Sequence, residues 1–274
     1  MSSILTNNSA MVALQTLKSI NKDLAHTQNA ISTGKDIAGA KDNSSIWAIS
    51  KVMESDVSGF KAVSDSLALG ESTVAVALAG AEQITNILNE IKEKVVAATG
   101  ENVDHTKLGN DVTELTNQVT SIIDASQFNG MNLLNDDAVD LTVLSSIDRD
   151  NAGAVTASNI TVSSVDFTSN LDLSDIDVSD STTAEASIAA IEAHIQTAVD
   201  GAAALGASSK RISDQSEFVG KVMDAMTSGI GSLVDADMEA TSAKLQALQT
   251  QQQLGVQALS IANQAPQTIL QLFR

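Results

Sequence analysis

The chain has 274 residues, enough for one or two ordinary domains, and a formal net charge of −19. That charge excludes nucleic acid and anionic membranes as partners held electrostatically, since both demand a cationic surface. Cysteine is absent and aromatics are only 2% of residues, which removes disulfides and thiolate chemistry and leaves the core to Ala, Leu, Ile and Val.

With one proline, Pro266, almost nothing in the chain forbids long helices. The charge is unevenly placed: residues 1–60 are balanced, residues 235–274 nearly so, and almost all the negative charge lies between. This points to buried ends and a solvated middle. No run of about 18 consecutive apolar residues offers a membrane span. The start, Met1 to Asn8, lacks the basic and apolar regions of a cleavable signal.

The N-terminal segment repeats at seven residues through Ala10, Leu17, Leu24 and Ile31, interleaved with Leu14, Asn21 and Gln28. From Ile46, alternating steps of three and four pass through Ile49, Met53, Asp56 and Phe60 and continue to Val95 and Ala98, with only Asp56 and Gly70 breaking the apolar series. This spacing predicts a helix about 80 Å long with a coiled-coil seam. Gly100 supplies the stop. Gly70 and Asp56 are either local weak points or positions that fix register or face a neighbour.

A shorter helix is expected through Leu108, Val112, Leu115, Val119 and Ile122, ending in the turn-like Gln127-Phe128-Asn129-Gly130. From about Leu141 to Ser181, Leu141-Thr142-Val143-Leu144, Ile160-Thr161-Val162 and Leu171-Asp172-Leu173 alternate apolar with polar residues, predicting a small exposed β region. Thr182-Thr183-Ala184-Glu185 has the form of a capping box. A second long seam then runs from Ile188 through Ile191, Ile195, Ala198, Leu205 and Ile212 to Leu233, and its register continues at Ala240, Ala247, Leu254 and Ile261.

These elements define a mainly α chain: a long antiparallel coiled-coil helical rod folded as a hairpin, with a small β-containing variable insertion at mid-chain. A thin apolar stripe on each end cannot bury enough surface in a monomer. The ends are therefore expected to order by packing on adjoining copies.

No pattern of chemistry-bearing residues stands out. His26, His105 and His194 lack metal-ligand spacing, and Asp104 beside His105 has no nucleophile near it in sequence. Asp136-Asp137 and the series Asp172, Asp175, Asp177 and Asp180 lack the glycine and glutamate placement of a calcium loop, and Gly34, Gly39 and Gly59 form no phosphate cradle. No catalytic residue, cofactor or metal site is expected. Met53, Met223 and Met226 read as core fillers.

The ends carry a resemblance. Ile31-Ser32-Thr33-Gly34-Lys35-Asp36-Ile37, then Ala40-Lys41-Asp42 and Trp47-Ala48-Ile49-Ser50, is similar to the N-terminal signature of bacterial flagellin. Gln127-Phe128-Asn129-Gly130 with Leu133-Leu134 resembles that family's turn after its third helix. Asp235-Ala236-Asp237-Met238-Glu239, Ala262 to Gln267 and Ile269-Leu270-Gln271-Leu272 resemble its C-terminal signature.

The resemblance implies a secreted, extracellular subunit that polymerises with itself into the flagellar filament for swimming motility. It implies export unfolded by the flagellar type III apparatus, with an export chaperone, a filament cap and hook-junction proteins as partners. It divides the chain into an N-terminal inner-core helix (1–44), outer-core rod (45–140), a short variable surface region (141–181), the returning rod (182–234) and a C-terminal inner-core helix (235–274). Ala10, Leu14, Leu17, Leu24, Ile31, Ala240, Ala247, Leu254, Ile261 and Leu270 are then the self-assembly residues. Ser145, Thr156, Ser163 and Ser164 become possible O-glycosylation sites.

Two departures bear on this. Ala30 and Asp36 stand where many members carry arginine, removing some inter-subunit ion pairs. Glu90 and Lys94 replace the arginine and leucine usual in the stretch recognised by the host Toll-like receptor five, which implies weak receptor activation. The alternatives are a hook-filament junction protein and a soluble coiled-coil adaptor.

Overall fold

The computed structural model describes residues 7–135, 139–150 and 153–272, with side chains described as far as Gln264. In chain order come α1 (Asn8–Thr33), α2 (Ser44–Ala98), α3 (His105–Ala125), β1 (Gln127–Phe128), β2 (Met131–Asn132), β3 (Leu141–Arg149), β4 (Val155–Val162), α4 (Phe167–Asn170), a 3-10 turn (Leu173–Asp175), α5 (Ser181–Val234) and α6 (Met238–Leu272). The fold is mainly α with two short antiparallel strand pairs, β1–β2 and β3–β4. It divides into two compact units, Met1–Val57 with Ala225–Arg274, and Ser58–Asp224.

The core of the second unit is the heptad row itself. On α2, Val63, Leu67, Val74, Ala81, Ile84, Leu88, Ile91, Val95 and Ala98 have no exposed surface. On α5, Ala184, Ile191, Ala198, Leu205, Ile212 and Val219 are equally sealed, one per heptad, with half-buried residues between them. The Lys92 Nζ–Glu192 Oε1 ion pair at 2.5 Å links α2 to α5, and Lys94 Nζ–Asp111 Oδ2 at 3.0 Å links α2 to α3. α2 is also the one helix among the described residues long and apolar enough, by length and composition, to cross a membrane. Here its seam faces the protein interior.

The seam expected from Ile46 starts, as a buried row, at Phe60. Ile49 is exposed and Ser50 is buried in its place, its Oγ donating to Trp47 O. At the far end of α5, Leu233 is likewise exposed and Val234 buried. The helix stops there because the Val234 carbonyl accepts from Asp36 N–H at 2.8 Å and Ile37 N–H at 3.3 Å instead of continuing the α ladder.

Between α3 and the long loop that follows, Asn129 and Gly130 both adopt positive φ, 50° and 82°. This is the two-residue turn that Asn-Gly favours in a tight antiparallel hairpin. It returns the chain so that Leu133 and Leu134 are sealed in the core.

The β3–β4 hairpin lies on both long helices. Leu144 N–H donates to Ser66 Oγ on α2 at 3.2 Å, and Gln215 Nε2 on α5 donates to Ser145 O at 2.8 Å. Gly70 leaves the hollow in α2 that Val143 fills: a Cβ there would meet Val143 Cγ2 at 2.5 Å. The break at Gly70 thus receives this chain's own hairpin. Gly201 on α5 makes the same concession to Phe167 and Val165.

The β region ends at Val162, earlier than the alternation to Ser181 suggests. Leu171-Asp172-Leu173 runs into a 3-10 turn, and the segment buries Phe167, Leu171, Leu173 and Val178. Aspartates dictate this local path by capping. Asp166 Oδ1 accepts from Ser169 N–H at 2.8 Å, Asp172 Oδ1 from Ser174 N–H at 3.2 Å, and Asp180 Oδ1 from Thr182 and Thr183 N–H at 2.8 Å. The capping box of α5 is therefore Asp180 with Thr183, whose Oγ1 accepts from Asp180 N–H at 3.2 Å. It lies two residues before the box expected at Thr182.

Candidate assembly surface of the terminal helices

In the first unit, α1 and α6 pair along their length. The more buried positions of α1 recur as Ala10, Ala13, Leu17, Ile20, Leu24, Thr27 and Ala30, with Ile31 half-buried, and those of α6 as Thr241, Leu245, Leu248, Gln252, Gly255, Leu259 and Ala262. Both series step by three and four, the spacing of a coiled-coil seam. Gly255 admits Leu17, whose Cδ1 would lie 3.2 Å from a Cβ placed there. Two amides mark the register: Gln252 Nε2 donates to Asn21 Oδ1 at 2.7 Å, and Asn7 Nδ2 donates to Ala262 O at 2.6 Å. The ends therefore find some burial in each other, which corrects the expectation that they lack a partner within the chain.

The junction beside this pair is tied by backbone. Gly34 closes α1 with φ 72°, Lys35 bridges Asp235, and Ala236 N–H donates to Gly34 O at 2.9 Å. Asp42 Oδ2 accepts from Ala38 and Gly39 N–H, while its Oδ1 lies 3.7 Å from His26 Nε2. Residues that resemble the N-terminal signature, Gly34, Lys35, Asp36 and Asp42, thus hold the crossing between α1 and the α5–α6 break.

The ten sequence-derived residues fall into two groups. Ala10, Leu17 and Leu24 fall on the inward row of α1, and Ile31 is half-buried beside the buried Ala30. Leu14, Ala240, Ala247, Leu254 and Ile261 are exposed, with Leu254 58% and Ile261 70% accessible. On α6 the inward row is displaced by one residue from the one read from sequence, so the 240-247-254-261 row faces outward. Leu270 has its side chain outside the described residues. Sequence reading missed Met11 and Val12, 63% and 64% exposed, and Val256, which extend the outward apolar surface. Their signal was only that they are apolar residues off the heptad. The two near-neutral helices thus carry several exposed aliphatic side chains.

Of the four hydroxyls proposed as sugar acceptors, Ser145 is buried and its Oγ donates to Ser158 O at 2.9 Å. It presents no acceptor and leaves the set. Thr156 and Ser163 are exposed and Ser164 half-buried. The histidines serve locally: His105 Nδ1 lies 3.1 Å from Val178 O and His194 Nε2 3.1 Å from Asp175 Oδ1. No group of three or more His, Asp or Glu poised to hold a metal occurs among the described residues. Asp104 caps α3 through Lys107 N–H. The Asp136-Asp137 pair lies outside the described residues.

Long helices with sealed heptad cores, joined to a terminal pair that turns a second apolar row to solvent, define a structural protein completed by association with further chains. Residues 4–138 match the bacterial flagellin N-terminal helical region and residues 188–273 the bacterial flagellin C-terminal helical region. The chain is similar to flagellin FljN of Caulobacter vibrioides, 45% identical over 277 residues with 100% of this chain and 99% of that one covered. It is 42% identical to a flagellin of Brucella melitensis over 282 residues, all of both chains being covered. Among solved structures, Bacillus cereus flagellin matches 55% of this chain and 86% of its own, at 20% identity and a TM-score of 0.48.

The chain belongs to the bacterial flagellin family, and it is a structural subunit of the flagellar filament that self-polymerises.

Proposed function

We propose that the outward row Leu14, Ala240, Ala247, Leu254 and Ile261, with Met11 and Val12, packs on the terminal helices of neighbouring copies. Ala10, Leu17, Leu24 and Ile31 hold α1 and α6 together so that this row is presented. The supporting observation is the exposure of Leu254 and Ile261 on a helix whose other apolar row already faces α1. Burying what remains exposed of each on assembly contributes about 1–2 kcal/mol. On this reading residues 1–44 and 235–274 line the inner layer of the filament, 45–140 and 182–234 the layer around it, and 141–181 the outer surface.

Seeded growth followed by sedimentation tests the assignment. Leu254→Asp or Ile261→Asp should abolish elongation while leaving monomer helicity unchanged. Normal growth of both variants would refute it.

The finer cellular reading follows the family. The subunit leaves the cell unfolded through the type III apparatus, guided by an export chaperone, and is added outside the cell beneath a cap on a base of hook-junction proteins. Of the four expected acceptors, the exposed Thr156 and Ser163 and the half-buried Ser164 remain for O-linked sugar, which intact-mass measurement of native filaments would detect. Glu90 is exposed and Lys94 is paired with Asp111, so Toll-like receptor activation by monomer is weak. A potent reporter-cell response would overturn that.

A further inference from the structure

The second unit carries a knob and a hole that do not serve its own core. The knob is Phe218 on α5, 57% exposed and the one exposed phenyl ring among the described residues. The larger apolar side chains of α5 near it are arranged to hide: Ile212 and Val219 are sealed and Val222 and Met223 are half-buried. The hole is a cavity of about 220 Å³ between α2, the β1–β2 turn and β3, with Leu69, Phe128, Met131 and Leu141 among its walls. It is open at Leu69, itself 53% exposed. A cavity of about 150 Å³ accepts a benzene ring, so a phenyl side chain fits.

Charge separates the two surfaces in a complementary sense. Along α5, Lys210, Arg211 and Lys221 flank Phe218 together with Asp214, Glu217 and Asp224, a charge-balanced stretch in a chain of −19. Glu217 pairs with Lys221 at 2.6 Å and Asp214 pairs with Lys210, whereas Arg211 makes no ion pair among the described residues. Residues 65–73, 128–131 and 139–143, which include the cavity lining, contain Asp65, Glu71 and Asp140 and no Lys or Arg.

We propose that Phe218 of one copy seats in the Leu69 cavity of an adjoining copy, with Arg211 meeting the acidic rim. This rests on the filament reading, which guarantees that a second copy is present at high local concentration. A knob and a hole on different patches of one chain make a head-to-tail contact, and such contacts propagate into open helical polymers instead of closing into dimers. The contact lies in the second unit and is separate from the terminal-helix row.

The absence of cysteine makes the test direct. Phe218→Cys and Leu69→Cys are introduced together, filaments are grown on wild-type seeds, and a short bismaleimide is added. The expected result is a ladder of dimers and higher species from filaments, absent in each single variant and in dilute monomer. No ladder from well-formed filaments, or an equal internal cross-link in dilute monomer, overturns the proposal and leaves the filament assignment standing. Phe218→Ala, an exposed truncation that should leave monomer helicity intact, is expected to raise the critical concentration for growth roughly tenfold. An unchanged critical concentration counts against the contact, while failure of wild-type protein to grow on seeds would remove the filament reading beneath it.

Discussion

Replacing Gly70 by alanine should destabilise the monomer although the same change elsewhere in a long helix stabilises it. Glycine inside a helix costs about 1 kcal/mol relative to alanine, so substitution alone favours the variant by that amount. At Gly70 the new Cβ would stand 2.5 Å from Val143 Cγ2, 3.0 Å from Cγ1 and 3.3 Å from Cβ. Valine is branched at the contact and stiff about χ1, and its strand is pinned to Ser66 and Gln215. Overpacking of this kind costs about 1–3 kcal/mol, leaving a net loss of about 1 kcal/mol. At Gly206, in α5, an added methyl would have nothing within 4 Å, so its alanine variant should gain about 1 kcal/mol. At ~2–4 °C per kcal/mol for a domain of this size, thermal unfolding of the monomers should separate the two by roughly 4–8 °C. Adding Val143→Ala to Gly70→Ala should recover part of the difference by relieving the clash. Equal stabilisation by both glycine replacements would refute the packing argument.

Leu248, 7% exposed on the inner seam of α6, should cost about 2–5 kcal/mol when cut to alanine, read as faster proteolysis of α1 and α6 in the monomer. The Asp180 carboxylate is held below its ordinary value of 3.8, chiefly by the Thr183 backbone N–H. Because its pKa is depressed in the folded chain, its contribution is present above the ordinary value and is lost as pH falls through the lowered one. Asp180→Asn, which accepts the same N–H without titrating, should therefore flatten the acid limb of a stability profile below about pH 4; an unchanged limb would exclude this cap as a cause. Lys92→Met breaks the link to Glu192, but both side chains are well solvated, so the loss should stay under about 1 kcal/mol by chemical denaturation.

Repetition made the long helices readable. The α2 row from Phe60 to Ala98 recurs through enough heptads for one register to win, and its members are all buried. The α6 register was legible only to within one residue. Its inward row includes Thr241, Gln252 and Gly255, whereas the neighbouring row of Ala240, Ala247, Leu254 and Ile261 is wholly apolar. Periodicity selects the more apolar of two rows with the same spacing, and here that row faces solvent. Between Ser163 and Asp180, alternation looked like strand, but short side chains of aspartate cap successive N–H groups and bend the backbone locally. Burial of Phe167 there depends on Gly201, far along the chain on α5, a long-range fit no local pattern reveals. The cavity beside Leu69 is equally invisible to periodicity, because three separate segments enclose it.

The attachment of the β3–β4 hairpin also decides where this protein tolerates added sequence. Its base is bolted to both long helices through Ser66, Val143 and Gln215, and the stretch after it carries Phe167 into the core. Among the described residues, Gly153 and Ala154 near the tip have neither duty, their N–H groups donating back to Asp150. Cargo such as an epitope or a peptide tag belongs at that tip, where each subunit would display one copy without disturbing the helices beneath.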